Sequence, residues 1–308
     1  MKLKISSSPH LHASTSTSRI MADVLISLIP CVLAATLFFG LRAFLVIVFC
    51  TALCVGLEAL CRLVMKRENT VFDGSAAVTG ALLALTLPSD IPLHLAAVGC
   101  ATAIVVVKQM FGGLGCNFVN PALTARIVML ISFPTAMTSM PHNFALPDGV
   151  TSATPLSSDS VSSLFDLFVG RVGGAMGEGC KIAILLGLLY LLIRRVISPV
   201  IPVTVMATVA LFGFIGGEDV AFALLSGGLL FGAVFMATDY VTSPITLRGQ
   251  LVYAFGCGLL SVLIRFYANL PEGVSYAIIL MNIATPLIDR CFRPRSYGTQ
   301  KKKGGVRS

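Results

Sequence analysis

Charged residues are scarce in this chain, and their scarcity excludes most soluble folds. Only 12% of the 308 residues are charged, whereas 56% are hydrophobic and the mean hydropathy is +0.90. Soluble globular domains carry about 25% charged residues. The sequence therefore predicts an integral membrane protein. Its basic residues gather between apolar runs and in the C-terminal tail, so they do not form the footprint of a nucleic-acid-binding protein.

The chain also lacks the common signatures of catalytic and metal sites. None of its nine cysteines forms a C-x-x-C pair or has a histidine at metal-ligand spacing, so we interpret them as small buried apolar residues and predict no metal site. The exception is Cys116 in the irregular stretch GGLGCNFVNPA, where a single iron–sulfur ligand remains an alternative. The glycine-rich stretches 112–115 and 170–179 do not follow a strand, which excludes a dinucleotide-binding fingerprint. No catalytic triad is evident, and we predict no complete active site in this chain alone.

Long apolar runs divide the chain into candidate membrane helices. Eight runs approach the length that spans a bilayer, and two shorter ones are bounded by Gly, Pro or Asp, as is typical of short or broken helices. The ten predicted spans cover residues 20–39, 43–63, 74–88, 91–111, 121–133, 180–193, 199–215, 219–237, 249–268 and 274–290. We therefore expect an all-α integral membrane protein of about ten transmembrane helices, some of them short or broken.

The distribution of Lys and Arg predicts the orientation of these spans. With the N-terminus in the cytoplasm, 18 of the 22 basic residues fall on the cytoplasmic side, Lys108 and Arg126 among them. The four outside are Arg42, Arg171, Lys181 and Arg265. This positive-inside pattern predicts a multi-pass protein of the inner cell membrane with both termini in the cytoplasm.

A polar stretch after the fifth span separates two groups of five helices. An odd number of spans per group inverts the second group relative to the first, as in many transporters. We expect a cytoplasmic tail at 1–19, a first five-helix half at 20–133, an extracytoplasmic loop at 134–177, a second, inverted half at 178–291 and a basic cytoplasmic tail at 292–308. The similar stretches VNPALTAR and TSPITLRG are a candidate trace of the repeat.

The extracytoplasmic loop contains a compact polar cluster, DGVTSATPL, at residues 148–156. Asp148 and Gly149 favour a turn, and Pro155 keeps Thr154 out of the helical region, so an exposed and stiff backbone should present the Thr154 hydroxyl. Taken alone, the cluster can equally be a polar connector. The loop has no N-x-S/T sequence, which excludes N-glycosylation there.

The sequence resembles a known family over nearly its whole length. The resemblance is carried by FDGSAAVTGALLALTLP, GGLGCNFVNPALTARI, DGVTSATPL, FMATDYVTSPIT and the basic tail. The family is that of the D subunit of the Rnf ion-translocating electron transport complexes, related to the B subunit of the sodium-pumping NADH:quinone oxidoreductase. It implies a membrane component of a six-subunit, redox-driven pump of the ferredoxin:NAD oxidoreductase type, which moves sodium ions or protons.

The resemblance also implies a covalent cofactor. Members of the family carry FMN through a phosphodiester on the last threonine of such a motif, which places Thr154 at the acceptor position and Asp148 at the acidic one. The rest of the recognition sequence is Thr151, Ser152 and Ala153, with Ser152 where glycine is common.

Attachment of the FMN should need a second protein. A threonine hydroxyl is a poor nucleophile without a base, and His142 has no orienting carboxylate beside it. We therefore expect a separate flavin transferase as a partner. Arg171 or Lys181 is the candidate to neutralise the phosphodiester by charge-assisted hydrogen bonds.

Two polar stretches beside Pro-broken helix starts indicate a second site. Its candidate residues are Asn117, Asn120, Asp239 and Thr242. Helix N-termini favour anions and exposed carbonyls favour cations. Riboflavin or another second flavin, an ion path, and plain hydrogen bonds between helices all remain open here. For the charged residue Glu58, also at membrane depth, we expect either snorkelling to the membrane surface or a salt bridge with Arg62.

Three other functions remain open. The chain can be a component like the B subunit of the quinone-linked pump, a channel or carrier for small solutes without redox activity, or a membrane scaffold. Paired inverted halves with broken helices are common in carriers. Covalent flavin distinguishes the redox functions from the last two.

Overall fold

The computed structural model describes residues 16–67, 71–138, 164–170, 173–268 and 273–293. Within these ranges the protein is helical and has no strand, which confirms the predicted all-α class. The α-helices are α1 (Thr17–Val64), α2 (Ser75–Thr86), α3 (Leu93–Ala101), α4 (Pro121–Ser132), α5 (Pro134–Thr138), α6 (Leu164–Val169), α7 (Lys181–Ile193), α8 (Val200–Ile215), α9 (Val220–Leu225), α10 (Leu229–Phe231), α11 (Leu247–Tyr267) and α12 (Gly273–Cys291). A π-helix, π1 (Thr102–Gln109), continues α3, and another, π2 (Gly232–Met236), continues α10.

The longest helix, α1, is folded back on itself at Gly40. This residue has φ 76° and ψ −170°, a conformation that is essentially restricted to glycine. The two arms are antiparallel, because Met21 of the first lies beside Gly74 while Glu58 of the second shares a hydrogen-bonding partner with Ser75. The 48 residues of α1 therefore form two helices, which match the predicted spans 20–39 and 43–63.

With α1 counted as one stretch, three helices among the described residues are long and apolar enough to cross a membrane: α1, α11 and α12. Five shorter apolar helices accompany them, namely α2, α3 with π1, α4, α7 and α8. The prediction that spans 74–88 and 121–133 are short is confirmed, since α2 and α4 have 12 residues each. Residues 219–237 are not one helix, because α9 ends at Leu225 and α10 begins at Leu229. The count of ten spans and the inverted halves stay predictions.

The connections between helices lie at two ends of the bundle. At one end, called end A, Arg194 after α7 pairs with Asp23 near the start of α1 (3.2 Å). At the other, called end B, Arg42 after the fold of α1 pairs with Asp90 after α2 (3.6 Å). Successive helices connect at alternate ends, as the predicted order of spans requires. That end A faces the cytoplasm stays a prediction.

The glycine-rich residues 173–180 fold back onto the end-B terminus of α2. The Gly177 N–H donates to the Leu85 carbonyl (2.6 Å), and the next residue, Glu178, pairs with Arg126 of α4 (3.1 Å). Both side chains are largely buried, with 13% and 5% exposure. Arg126, which was counted among the cytoplasmic basic residues, is thus a buried residue in the middle of α4 and not a loop residue.

Candidate functional site

The predicted flavin segment lies outside the described residues, and its flanks lie at end B. The residues concerned are Asp148, Thr151, Ser152, Ala153, Thr154 and Arg171. On one side, α5 follows directly from the end-B terminus of α4, and its last residue, Thr138, is exposed. On the other side, α6 packs against α7 and α9, with Leu164 and Phe165 exposed. The described residues on both sides of positions 139–163 are therefore exposed helix ends at end B.

Lys181, the second residue predicted to meet the FMN phosphate, lies within the described part. Its ammonium donates to the carbonyls of Glu178 and Gly227, the latter at 3.1 Å. The residue is 3% exposed. Lys181 therefore links two connecting segments at end B, the loop before α7 and the residues before α10. Its role toward a flavin stays a prediction.

At end A, two irregular polar segments connect one helix to the next. The first broken segment, residues 110–120, joins π1 to α4, and the second broken segment, residues 237–246, joins π2 to α11. Each segment ends in a residue that caps the next helix. The Asn120 Oδ1 atom accepts from the Ala122 N–H (3.0 Å), and the Thr246 hydroxyl accepts from the Gly249 N–H (3.2 Å). These caps satisfy backbone donors at the helix starts.

The two broken segments meet across a cavity of about 90 Å³. Asn117, Asn120 and Asp239 line it, and the Asn120 amide donates to the Met236 carbonyl (3.3 Å). Thr242 does not line the cavity, but its hydroxyl donates to the Asp239 carboxylate, which does (3.3 Å). The structure therefore brings together all four residues that the sequence indicated as a second site.

The resemblance between VNPALTAR and TSPITLRG is not the trace of an inverted repeat. Inverted equivalents would lie at opposite ends of the bundle, whereas both stretches belong to the segments that meet at end A. Their likeness has a local cause, since each is a capped helix start beside a proline. The cap is Asn120 before Pro121 in the first case and Thr246 after Pro244 in the second.

A buried ionic network that sequence reasoning missed lies beside this cavity. Lys108, the basic residue of π1, lines the cavity and donates to both oxygens of Glu58 (3.0 and 3.1 Å) and to the Ser75 hydroxyl (2.7 Å). Gln109 also donates to Glu58 (2.8 Å). The expected bridge from Glu58 to Arg62 is replaced by this pair, because packing of α1 against π1 brings in a residue fifty positions away.

The cavity presents acceptor oxygens of Asn117 and Asp239. The Asn117 Oδ1 atom is buried and has no hydrogen-bond partner among the described residues. Asp239 accepts from the Val241 N–H (3.4 Å) and from Thr242. Within the described ranges no cation pairs with Asp239, whereas Lys108 is neutralised by Glu58. The wall therefore favours a cation or a hydrogen-bond donor as occupant.

Two phenylalanine rings of α10 and π2 separate the cavity from end B. Phe235 lines the cavity, and its ring centroid is 5.2 Å from that of Phe231. Phe231 packs in turn on Gly177, where a Cβ atom would lie 3.1 Å from the ring. The residue after Gly177 is Glu178, paired with Arg126. From end A to end B, the order is thus a polar cavity, an apolar constriction and a buried ion pair.

Comparisons with known proteins agree on one family. The family model described as "NQR2, RnfD, RnfE family" matches residues 4–298. The chain is 46% identical over 311 residues to a protein of Acetobacterium woodii, named as the D subunit of a "Na(+)-translocating ferredoxin:NAD(+) oxidoreductase complex", with 98% of each chain covered.

Of two further relatives, one has a name that specifies protons and the other has a name that specifies no particular ion. The D subunit of the "Proton-translocating ferredoxin:NAD(+) oxidoreductase complex" of Clostridium ljungdahlii is 39% identical, with 96% of each chain covered. The D subunit of the "Ion-translocating oxidoreductase complex" of Stutzerimonas stutzeri is 38% identical, with 92% of this chain and 93% of the relative covered. The similarity thus extends over nearly the full length of each protein.

Proposed function

The chain belongs to the NQR2, RnfD, RnfE family, and we propose that it carries FMN covalently on Thr154 and moves sodium ions or protons in an Rnf-type complex. The observation that carries the proposal is DGVTSAT at residues 148–154, in a chain whose full length matches D subunits of ferredoxin:NAD oxidoreductases. Ferredoxin and NAD would be handled by partner subunits, and a flavin transferase would attach the FMN. End A would face the cytoplasm, and both termini would lie there.

The flanks of the attachment segment suit modification by another enzyme. Thr138 before the segment and Leu164 and Phe165 after it are exposed, so a transferase can reach the chain between them. The Thr154 hydroxyl would supply the ester oxygen, and Asp148 with residues 151–153 would be the sequence that the transferase recognises. Bound FMN supplies one- and two-electron redox chemistry, while the protein holds it in place.

The covalent flavin can be tested directly on the complex. A denaturing gel should show flavin fluorescence in the band of this protein, because a phosphodiester survives denaturation. Mass spectrometry of the peptide that contains Thr154 should show the added flavin phosphate on that residue. A wild-type, fully active complex in which this peptide is unmodified would refute the assignment.

The cavity at end A would be the entry to an ion path. Its 90 Å³ hold several water molecules, and Asn117 Oδ1 and the Asp239 carboxylate offer oxygens to a hydrated cation. A second flavin, such as riboflavin, is the other candidate for this wall.

The rival functions predict different behaviour. A component like the B subunit of the quinone-linked pump would share the flavin and the cavity, but the relatives named as D subunits favour the ferredoxin-linked complex. A solute carrier or a scaffold would need no flavin, and its transport or assembly would not depend on an electron donor. Moving one elementary charge across the membrane changes its energy by about 2.3 kcal/mol per 100 mV of membrane potential. A redox pump must therefore link ion movement to electron transfer.

A Phe235→Ala substitution should open the apolar constriction. In proteoliposomes that contain the complex, we expect a severalfold rise in passive ion leak without an electron donor, and fewer charges moved per electron transferred. Phe235 is 6% exposed and separates the cavity from Phe231, so its removal leaves Phe231 as the one ring between the cavity and Gly177 at end B.

The matched control is Phe212→Ala, which removes a ring paired with Phe255 away from the cavity (6.1 Å). This control should leave the leak unchanged. Measurement with sodium ions and with a protonophore present would also identify the ion, since a primary sodium pump continues when the proton gradient is collapsed. An unchanged leak and coupling ratio in the Phe235→Ala complex would contradict an ion path at this site.

A further inference from the structure

One face of α12 carries polar side chains at helical spacing. Asn282, Thr285 and Asp289 are three and four residues apart, so they lie on the same side of the helix. Asn282 is 1% and Thr285 is 7% exposed. Buried polar groups in a membrane protein need partners, and the partners of this face are unusual because they lie in the two broken segments.

Asn282 contacts the end of the first broken segment. Its amide nitrogen donates to the Tyr253 hydroxyl (2.7 Å) and to the Ile278 carbonyl (3.2 Å), and its Oδ1 atom then accepts from the backbone N–H of Asn120 (3.2 Å). This amide orientation is the one that satisfies every neighbour. Asn120 is the residue that both caps α4 and lines the cavity.

Thr285 and Asp289 contact the second broken segment. The Thr285 hydroxyl lies within hydrogen-bond distance of two carbonyls, that of Thr242 (2.9 Å) and that of Met281 in its own helix (3.0 Å), and shares its one proton between them. The Asp289 carboxylate accepts from the Ile245 N–H (3.3 Å). Three successive positions on one helix face therefore bind backbone groups of both segments. Along the sequence, Thr285 is 43 residues from Thr242, and Asp289 is 44 residues from Ile245.

We propose that this face of α12 is a clamp that positions the two broken segments relative to each other. By fixing Asn120 on one side and Thr242 on the other, it sets the spacing between Asn117 and Asp239 across the cavity. The proposal rests on the ion path proposed above for that cavity. Asn282 and Thr285 are positioning residues, because neither lines the cavity itself.

Three other threonine hydroxyls have the bond within their own helix but, among the described residues, no acceptor in another segment. Thr36, Thr51 and Thr208 each donate to the carbonyl four residues back in their own helix. Such bonds satisfy the hydroxyl without joining separate parts of the fold. Only a bond to another segment can transmit the position of one element to another, so Thr208 provides a matched control for Thr285.

Hydrogen exchange in the intact complex tests the clamp directly. Asn282→Leu should speed amide exchange in residues 110–120, and Thr285→Val should speed it in residues 237–246. The expected change is about two- to tenfold, the effect of one lost hydrogen bond. Thr285→Ser keeps the hydroxyl and should stay near wild type, while Thr208→Val should change neither segment.

The number of charges moved per electron separates positioning from plain structural support. A variant that is only less stable yields less complex, but each remaining complex keeps the wild-type ratio. We expect a lower ratio for Asn282→Leu and Thr285→Val and a normal ratio for Thr285→Ser. Unchanged exchange in both segments would overturn the clamp, and so would faster exchange with an unchanged ratio.

The two proposals fail in different ways. If the wild-type complex moves no ion, the ion path is wrong, and exchange in residues 110–120 and 237–246 alone decides whether α12 positions these segments. If the wild-type complex pumps and the variants match it in both measurements, the ion path stands and the clamp falls.

Discussion

A Thr154→Val complex should have no covalent flavin on this protein and electron transfer at background level. Valine has nearly the shape of threonine but no hydroxyl oxygen, so no phosphodiester can form. Electrons that pass through the covalent FMN would then have no carrier. The measurements are flavin fluorescence of this protein's band in a denaturing gel and the rate of electron transfer from ferredoxin to NAD in the purified complex.

Two further variants make this result specific. Thr138→Val removes another hydroxyl near the same stretch, one that donates only to the Pro134 carbonyl (2.9 Å), and it should keep full fluorescence and activity. Thr154→Ser retains an acceptor oxygen and should keep part of both. Persistent fluorescence in the Thr154→Val band would place the flavin on another residue, and full activity without fluorescence would show that this flavin is not needed for electron transfer.

A Lys108→Met substitution should destabilise the protein by about 3–5 kcal/mol, because it leaves the buried Glu58 carboxylate without its cation. Both side chains of this pair are only 1% exposed, so water cannot replace the lost ammonium. We expect a lower yield of assembled complex and a lower midpoint of thermal unfolding. The double variant Glu58→Gln with Lys108→Met should recover most of the loss, since no unpaired charge remains.

The exposed pair at end B is the contrasting control for this substitution. Arg42 and Asp90 are 3.6 Å apart with 60% and 53% of their side chains exposed. Pairs of this kind contribute about 0–1 kcal/mol, so Arg42→Met should have little effect on unfolding. Equal stability of the Lys108→Met and Arg42→Met complexes would contradict the buried network around Glu58.

The described flanks of the flavin segment and the proposed ion entry lie at opposite ends of the bundle. The attachment segment is flanked by α5 and α6 at end B, whereas the cavity with Asn117 and Asp239 opens at end A. Phe231 and Phe235 stand between them. A pump needs such a separation, because an ion must not pass freely while electrons move. The clamp on α12 then acts on the cavity side, far from the flavin segment.

The sequence by itself determined the elements of this protein. Low charge and long apolar runs predicted an all-helical membrane protein, and glycine, proline and aspartate at their ends marked α2 and α4 as short helices. Such signals are local, because hydropathy and helix capping depend on residues within a few turns. The proposed attachment motif DGVTSAT is local for the same reason, since the proposed transferase would read a short stretch of chain.

Only the tertiary structure decided which polar residues meet. It joined Asn117 and Asn120 to a segment more than a hundred residues later, and it replaced the local pair of Glu58 and Arg62 by Glu58 and Lys108. The physical reason is that burying a charge or an amide is costly unless a partner is within reach. Which partner is within reach depends on how helices pack, and no spacing along the chain specifies that.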